Sequence, residues 1–167
     1  MILCCAAAAV FPASAAEAST GSAQTRTVLN KGVNISKNAD LQFGDFAAGT
    51  TQSRFRIDAV TGAIVRLNGN ATSLGGTRSV ATFIAQGTPF ETVRLTVSEN
   101  QIDLTRINGS DTMRVDQFRL DGGNGTRNRT LGASGSAVYK LGGRLTIGPN
   151  QAGGAYVGSF NISIDYQ

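Results

Sequence analysis

The last fourteen residues place Tyr156, Gly158, Phe160, Ile162, Ile164 and Tyr166 at every second position, with mostly small or polar residues between them. A period of two over this length puts one set of side chains on one face of a β-strand. The same spacing scatters them around a helix. The pattern therefore requires a sheet with one face against a core and the other against water. It recurs upstream: Leu41 and Phe43 share a face, as do Phe55 and Ile57, and then Val93, Leu95 and Val97. No window sustains a helical period, and no fixed-length repeat is present.

Between the alternating runs lies turn chemistry. The chain has 21 glycines and only 3 prolines in 167 residues, which suits short strands joined by tight turns. About ten strands are expected on this reading, in one all-β domain of the immunoglobulin-like, antiparallel β-sandwich class. Residues 64–67 end at Asn68-Gly69, a pair suited to a tight hairpin turn. Residues 80–85 and 93–97 flank Gly87-Thr88-Pro89-Phe90 and read as a hairpin with a longer loop. Residues 102–107 lead through Asn108-Gly109 to a strand at Met113-Arg114-Val115. The glycine-rich tract from Asp121 to Ser136 reads as a flexible loop, and Gly142-Gly143 as a bulge in the penultimate strand.

The first residues, Met1-Ile2-Leu3-Cys4-Cys5 through Val10-Phe11, are apolar but too few to span a bilayer, and Pro12-Ala13-Ser14-Ala15-Ala16 follows with a cleavage-like pattern. Residues 1–16 are expected to be a signal peptide truncated at its start, residues 17–28 an extension or first strand, and residues 29–167 the sandwich. Export to the periplasm, cell surface or a fimbria follows, with no stable membrane span after cleavage. Both cysteines fall in the removable segment, so the mature chain has no disulfide or thiolate chemistry.

The remaining composition argues against catalysis. There is no histidine, which removes the commonest general base and zinc ligand. The acids Asp40, Asp45, Asp58, Glu91, Glu99, Asp103 and Asp116 sit at strand ends or alternate with core residues, as solvated faces do. No cofactor or metal is expected, and the chain reads as a non-enzyme. The net charge of +4 is spread along the sequence and Trp is absent, unlike a nucleic-acid surface with stacking rings. Gly122-Gly123-Asn124-Gly125 resembles the start of a calcium-binding β-roll repeat, but Arg127 stands where that repeat has aspartate, and the unit occurs once. Arg114, Arg119, Arg127 and Arg129 read as exposed charges. Phe90 and Tyr139 are the aromatics expected at the surface.

The terminal run resembles the assembly signature of chaperone–usher pilus subunits, with a glycine fourteen places from the end, alternating apolar residues and a penultimate tyrosine. Gly154, Phe160, Ile162, Ile164 and Tyr166 occupy those places, with Tyr156 on the same face. Four segments also resemble the bacterial domain-of-unknown-function family numbered 4402. They are Leu41-Gln42-Phe43-Gly44-Asp45-Phe46-Ala47-Ala48-Gly49-Thr50, Ile57-Asp58-Ala59-Val60-Thr61-Gly62-Ala63, Leu145-Thr146-Ile147-Gly148-Pro149-Asn150-Gln151-Ala152-Gly153-Gly154 and the final run. That family is similar to spore-coat-U-like and common-pilus-type subunits.

The resemblance implies an incomplete sandwich, recognised by a periplasmic chaperone and usher and completed by donor-strand exchange with another copy. The donor positions would be Ala23, Thr25, Thr27 and Leu29, a more polar set than a hydrophobic groove calls for. Two readings therefore stay open: a fimbria-like structural subunit, and a complete monomeric sandwich that binds surface polysaccharide or another protein.

Overall fold

The computed structural model describes residues 32–167, and all secondary structure in this range is β. The early strands are β1 (Asn34–Ala39), β2 (Asp45–Ala47), β3 (Ser53–Ile57), β4 (Ile64–Asn68) and β5 (Thr72–Gly75). The middle ones are β6 (Ala81–Gln86), β7 (Thr92–Val97), β8 (Gln101–Arg106) and β9 (Thr112–Leu120). The last are β10 (Gly123–Asn124), β11 (Thr126–Thr130), β12 (Ser136–Ile147), β13 (Tyr156–Val157) and β14 (Ile162–Tyr166).

These strands form an antiparallel β-sandwich. One sheet runs β1-β6-β12-β9-β8-β13, with β3 joined to β12, β4 to β3 and β10 to β9. The other is β11-β7-β14, and β2 and β5 pair separately. The inward residues of β7, Val93, Leu95 and Val97, meet Phe83 of β6, Val115 and Phe118 of β9, and Tyr139, Leu141 and Leu145 of β12 in one core. Tyr139 also ties the sheets together directly, its hydroxyl donating to the Val93 carbonyl at 3.1 Å.

The longest strand, β12, changes partners along its length. It pairs with β6 over 136–141, with β3 over 143–147 and with β9 over 141–146. The handover falls at Gly142-Gly143, where the β9 register shifts, so the expected bulge is present. Gly142 is required by close approach: a Cβ there would stand 2.3 Å from the Ile57 carbonyl oxygen. Arg144, just beyond the bulge, donates twice to Asp116 at 2.7 Å, closing the irregular stretch with a bidentate pair.

Several expectations need correction. The runs at 80–85 and 93–97 are β6 and β7, which lie in different sheets and do not form a hairpin. The turn at Asn68-Gly69 does not close a hairpin either, because β4 pairs with β3 and β5 with β2. The β3–β4 hairpin is closed instead at Asp58–Gly62, where Asp58 Oδ1 accepts from the Val60 and Thr61 amides and the Thr61 hydroxyl. The Asp121–Ser136 tract holds the edge strand β11, fully paired with β7, rather than a continuous loop. Tyr139 is 0% exposed, so the expectation of a surface ring there is overturned. The β8–β9 hairpin through Asn108-Gly109 matches the reading from sequence.

Candidate assembly site

The terminal run divides into two strands in two sheets, which corrects the reading of one continuous strand. Its first part, β13, pairs with β8, Tyr156 opposite Arg106. Tyr156 is fixed at its tip: its hydroxyl donates to the Ala152 carbonyl at 2.7 Å and accepts from Gln151 at 2.9 Å. Gly154 has φ +143, and a Cβ there would press on the Arg106 side chain at 3.0 Å. Arg106 in turn donates to the Gly153 carbonyl and pairs with Asp111. Gly154 thus serves a turn packed on Arg106 in this fold.

The chain then crosses from one sheet to the other over residues 158–161. Gly158 permits the crossing, since a Cβ would meet Leu104 Cδ2 at 2.8 Å. Phe160 packs onto the larger sheet, its ring 5.2 Å from Phe118 of β9 and 6.2 Å from Phe83 of β6. At the entry to β14, Glu99 accepts from the Asn161 backbone amide at 2.8 Å and from its side-chain amide at 2.7 Å. The backbone hydrogen bond is the main reason the Glu99 carboxyl is held below its ordinary value of 4.5. Sequence reasoning missed this clamp, because nothing in local spacing joins residues 62 positions apart.

From Asn161 the chain runs along β7 as β14, Ile162 opposite Val97 and Tyr166 opposite Val93. Among the described residues, β14 forms a ladder with β7 alone, so it is an edge strand there. The Tyr166 hydroxyl accepts the Thr88 amide at 2.8 Å, joining the end of β14 to the loop after β6.

The burial of the two paired strands differs. Val93 and Leu95 of β7 are 0% exposed, whereas Phe160, Ile162, Ile164 and Tyr166 are only partly buried, although they face the same core. Beside them lies an open depression of about 390 Å³, lined by Leu41, Phe43, Ile102, Leu104, Val157 and Phe160 among others. A smaller one of about 180 Å³ continues past Phe160 to Lys37 and Ala39 at the end of β1. Asp40 and Gln42 also line the larger depression, so its walls are mixed; Tyr156 and Phe160 reach it, Gly154 shapes the turn before it, and Ile162, Ile164 and Tyr166 continue from it along β14. Leu41 and Phe43 were legible as one apolar face but not as a wall of this hollow.

Such an arrangement offers apolar surface and strand edges, the chemistry of β-augmentation. The proposed donor residues Ala23, Thr25, Thr27 and Leu29 lie outside the described residues, as do the signal segment and both cysteines. Among the described residues no group of His, Cys, Asp or Glu is placed to hold a metal ion, and no helix is long and apolar enough to cross a membrane.

Residues 33–166 match the model of a family described as a domain of unknown function, DUF4402. Neither a curated protein nor a solved structure matches the chain.

Proposed function

The chain belongs to the DUF4402 family, and from its sandwich and terminal strand we propose that it is an exported structural protein, a fimbria-like subunit assembled by strand complementation. The observation that carries this reading is the partly buried apolar face of Phe160, Ile162, Ile164 and Tyr166, next to a β7 face that is fully buried. A sandwich whose edge strand leaves large side chains half covered gains by accepting another strand there, at about 25 cal/mol per Å² of apolar surface removed from water.

The donor on this reading is the segment around Ala23, Thr25, Thr27 and Leu29 of a second copy. The signal-like residues 1–16 would deliver the chain across the inner membrane, and a periplasmic chaperone and usher would hold and hand over the edge. The rival, a monomeric carbohydrate-binding sandwich, relied on exposed aromatics, and Tyr139 is no longer available to it.

The test compares the chain with and without residues 17–28 by sedimentation and electron microscopy. Loss of self-association on deletion is the expected result. Unchanged self-association sinks the donor-strand reading.

A further inference from the structure

The loop between β6 and β7 carries the most exposed large apolar side chain described: Phe90 is 72% exposed. Its backbone has φ +64, a left-handed conformation that is a genuine outlier for a bulky aromatic residue. Nothing about the loop suggests a passive excursion, because it is held from both sides. The Phe90 amide donates to the Leu131 carbonyl at 3.0 Å, and the Leu131 amide donates to the Glu91 carbonyl at 2.8 Å. Leu131 is itself buried in the core, and the neighbouring Thr88 amide is held by the Tyr166 hydroxyl. A strained backbone thus fixes a hydrophobic ring pointing into water. Strain maintained by surrounding hydrogen bonds is a reason to look for function.

The position of this loop in the fold identifies the partner. The first strand, β1, begins with Asn34 opposite Gln86, the last residue of β6, and Gly87 follows at once. The segment before β1 therefore joins the sandwich at the pole that carries Phe90. β14 ends at the same pole, Tyr166 opposite Val93 and the Gln167 amide bonded to the Thr92 carbonyl.

We propose that Phe90 is an anchor of the contact between successive copies of this chain, buried against the subunit that receives the N-terminal segment. The inference rests on the strand-complementation reading: a segment that leaves one subunit at this pole draws its acceptor against the same pole. The ring then fills the junction beside the donated strand, in the manner of an aromatic interface anchor. Holding it rigidly in advance lowers the ordering cost of association.

The test uses the full chain, its Phe90→Asn and Phe90→Tyr variants, and a synthetic peptide of residues 17–31 as competitor, read by sedimentation velocity. Asn tolerates the left-handed backbone, so the monomer's thermal midpoint should be unchanged or raised. The Asn variant should self-associate roughly tenfold or more weakly, while Tyr retains association. The peptide should block assembly of the parent chain. If the peptide blocks assembly but the Asn variant assembles as tightly as the parent, the Phe90 inference fails and the strand-complementation reading stands. If the parent does not self-associate, or the peptide has no effect on its assembly, both fail together.

Discussion

Tyr139 shows how much a single buried polar atom contributes in this core. Its side chain is 0% exposed, its hydroxyl donates to the Val93 carbonyl at 3.1 Å, and the Arg129 guanidinium lies 5.5 Å above the ring. Arg129 is in turn held by Asp121, so a cation sits at the core edge with both a carboxylate and a ring for company. Burial is the main cause raising the Tyr139 phenol above its ordinary value of 10.0, against the opposing charges of Arg129 and Arg127. Because the folded value exceeds the unfolded one, the contribution is complete below pH 10.0 and is lost as pH rises through the folded value. Tyr139→Phe removes the hydrogen bond with little change of shape. It should cost about 1 kcal/mol at neutral pH in urea unfolding. It should also flatten the alkaline fall in stability above pH 10.0; an alkaline limb identical in the two proteins would refute the assignment.

At the scale of elements, β14 is held on the β7 ladder but entered through one carboxylate. Glu99 receives both Asn161 donors, and those bonds depress its pKa below 4.5. A depressed carboxyl stabilises the fold above its unfolded value and loses that contribution as pH falls through the folded value. Acidification below pH 4.5 should therefore loosen the start of β14 before the ladder itself opens. Hydrogen exchange at the Asn161 and Ser163 amides should accelerate in acid relative to Val93 and Leu95, after correction for intrinsic rates. Glu99→Gln should show faster relative exchange already at neutral pH, without the acid step. If its protection matches the parent at every pH, Glu99 is not the clamp.

What was legible in the sequence, and what was not, divides along the same elements. Alternation at Phe55 and Ile57, and at Val93, Leu95 and Val97, gave the correct inward faces, and Gly142-Gly143 marked a real bulge. β11 was hidden because Thr126-Arg127-Asn128-Arg129-Thr130 has no apolar residue. Arg127 and Arg129 lie opposite Leu95 and Val93, inward positions that an edge strand can fill with long side chains. Tyr139 was misjudged when read as a single residue; its phase with Ala137 and Leu141 points inward. In the final run the phase survives from Tyr156 to Tyr166 while the strand breaks at 158–161. Periodicity reports which face is apolar and is silent about which sheet the strand joins.

For the whole molecule, the two ends of the described chain meet at one pole, β14 carries a half-covered apolar face, and an open depression lies where the terminal run crosses between the sheets. On the strand-complementation proposal, the composition of the N-terminal segment sets the stability of the assembly. Ala23, Thr25, Thr27 and Leu29 share one phase, with Gln24 and Arg26 on the other. If the first set enters the groove, Thr27→Ile replaces a hydroxyl by an ethyl group against β14 and strengthens the assembly, by about 1.5 kcal/mol per junction for roughly two further buried apolar carbons. Gln24→Ile adds a larger apolar increment on the solvent phase and should leave the assembly's denaturation midpoint nearly unchanged. A raised midpoint for Thr27→Ile alone is the expected pattern, measured by the denaturant concentration at which assembled material dissociates. Equal shifts from both substitutions would point to general hydrophobicity, and no shift from either would mean that this segment does not fill the edge of β14.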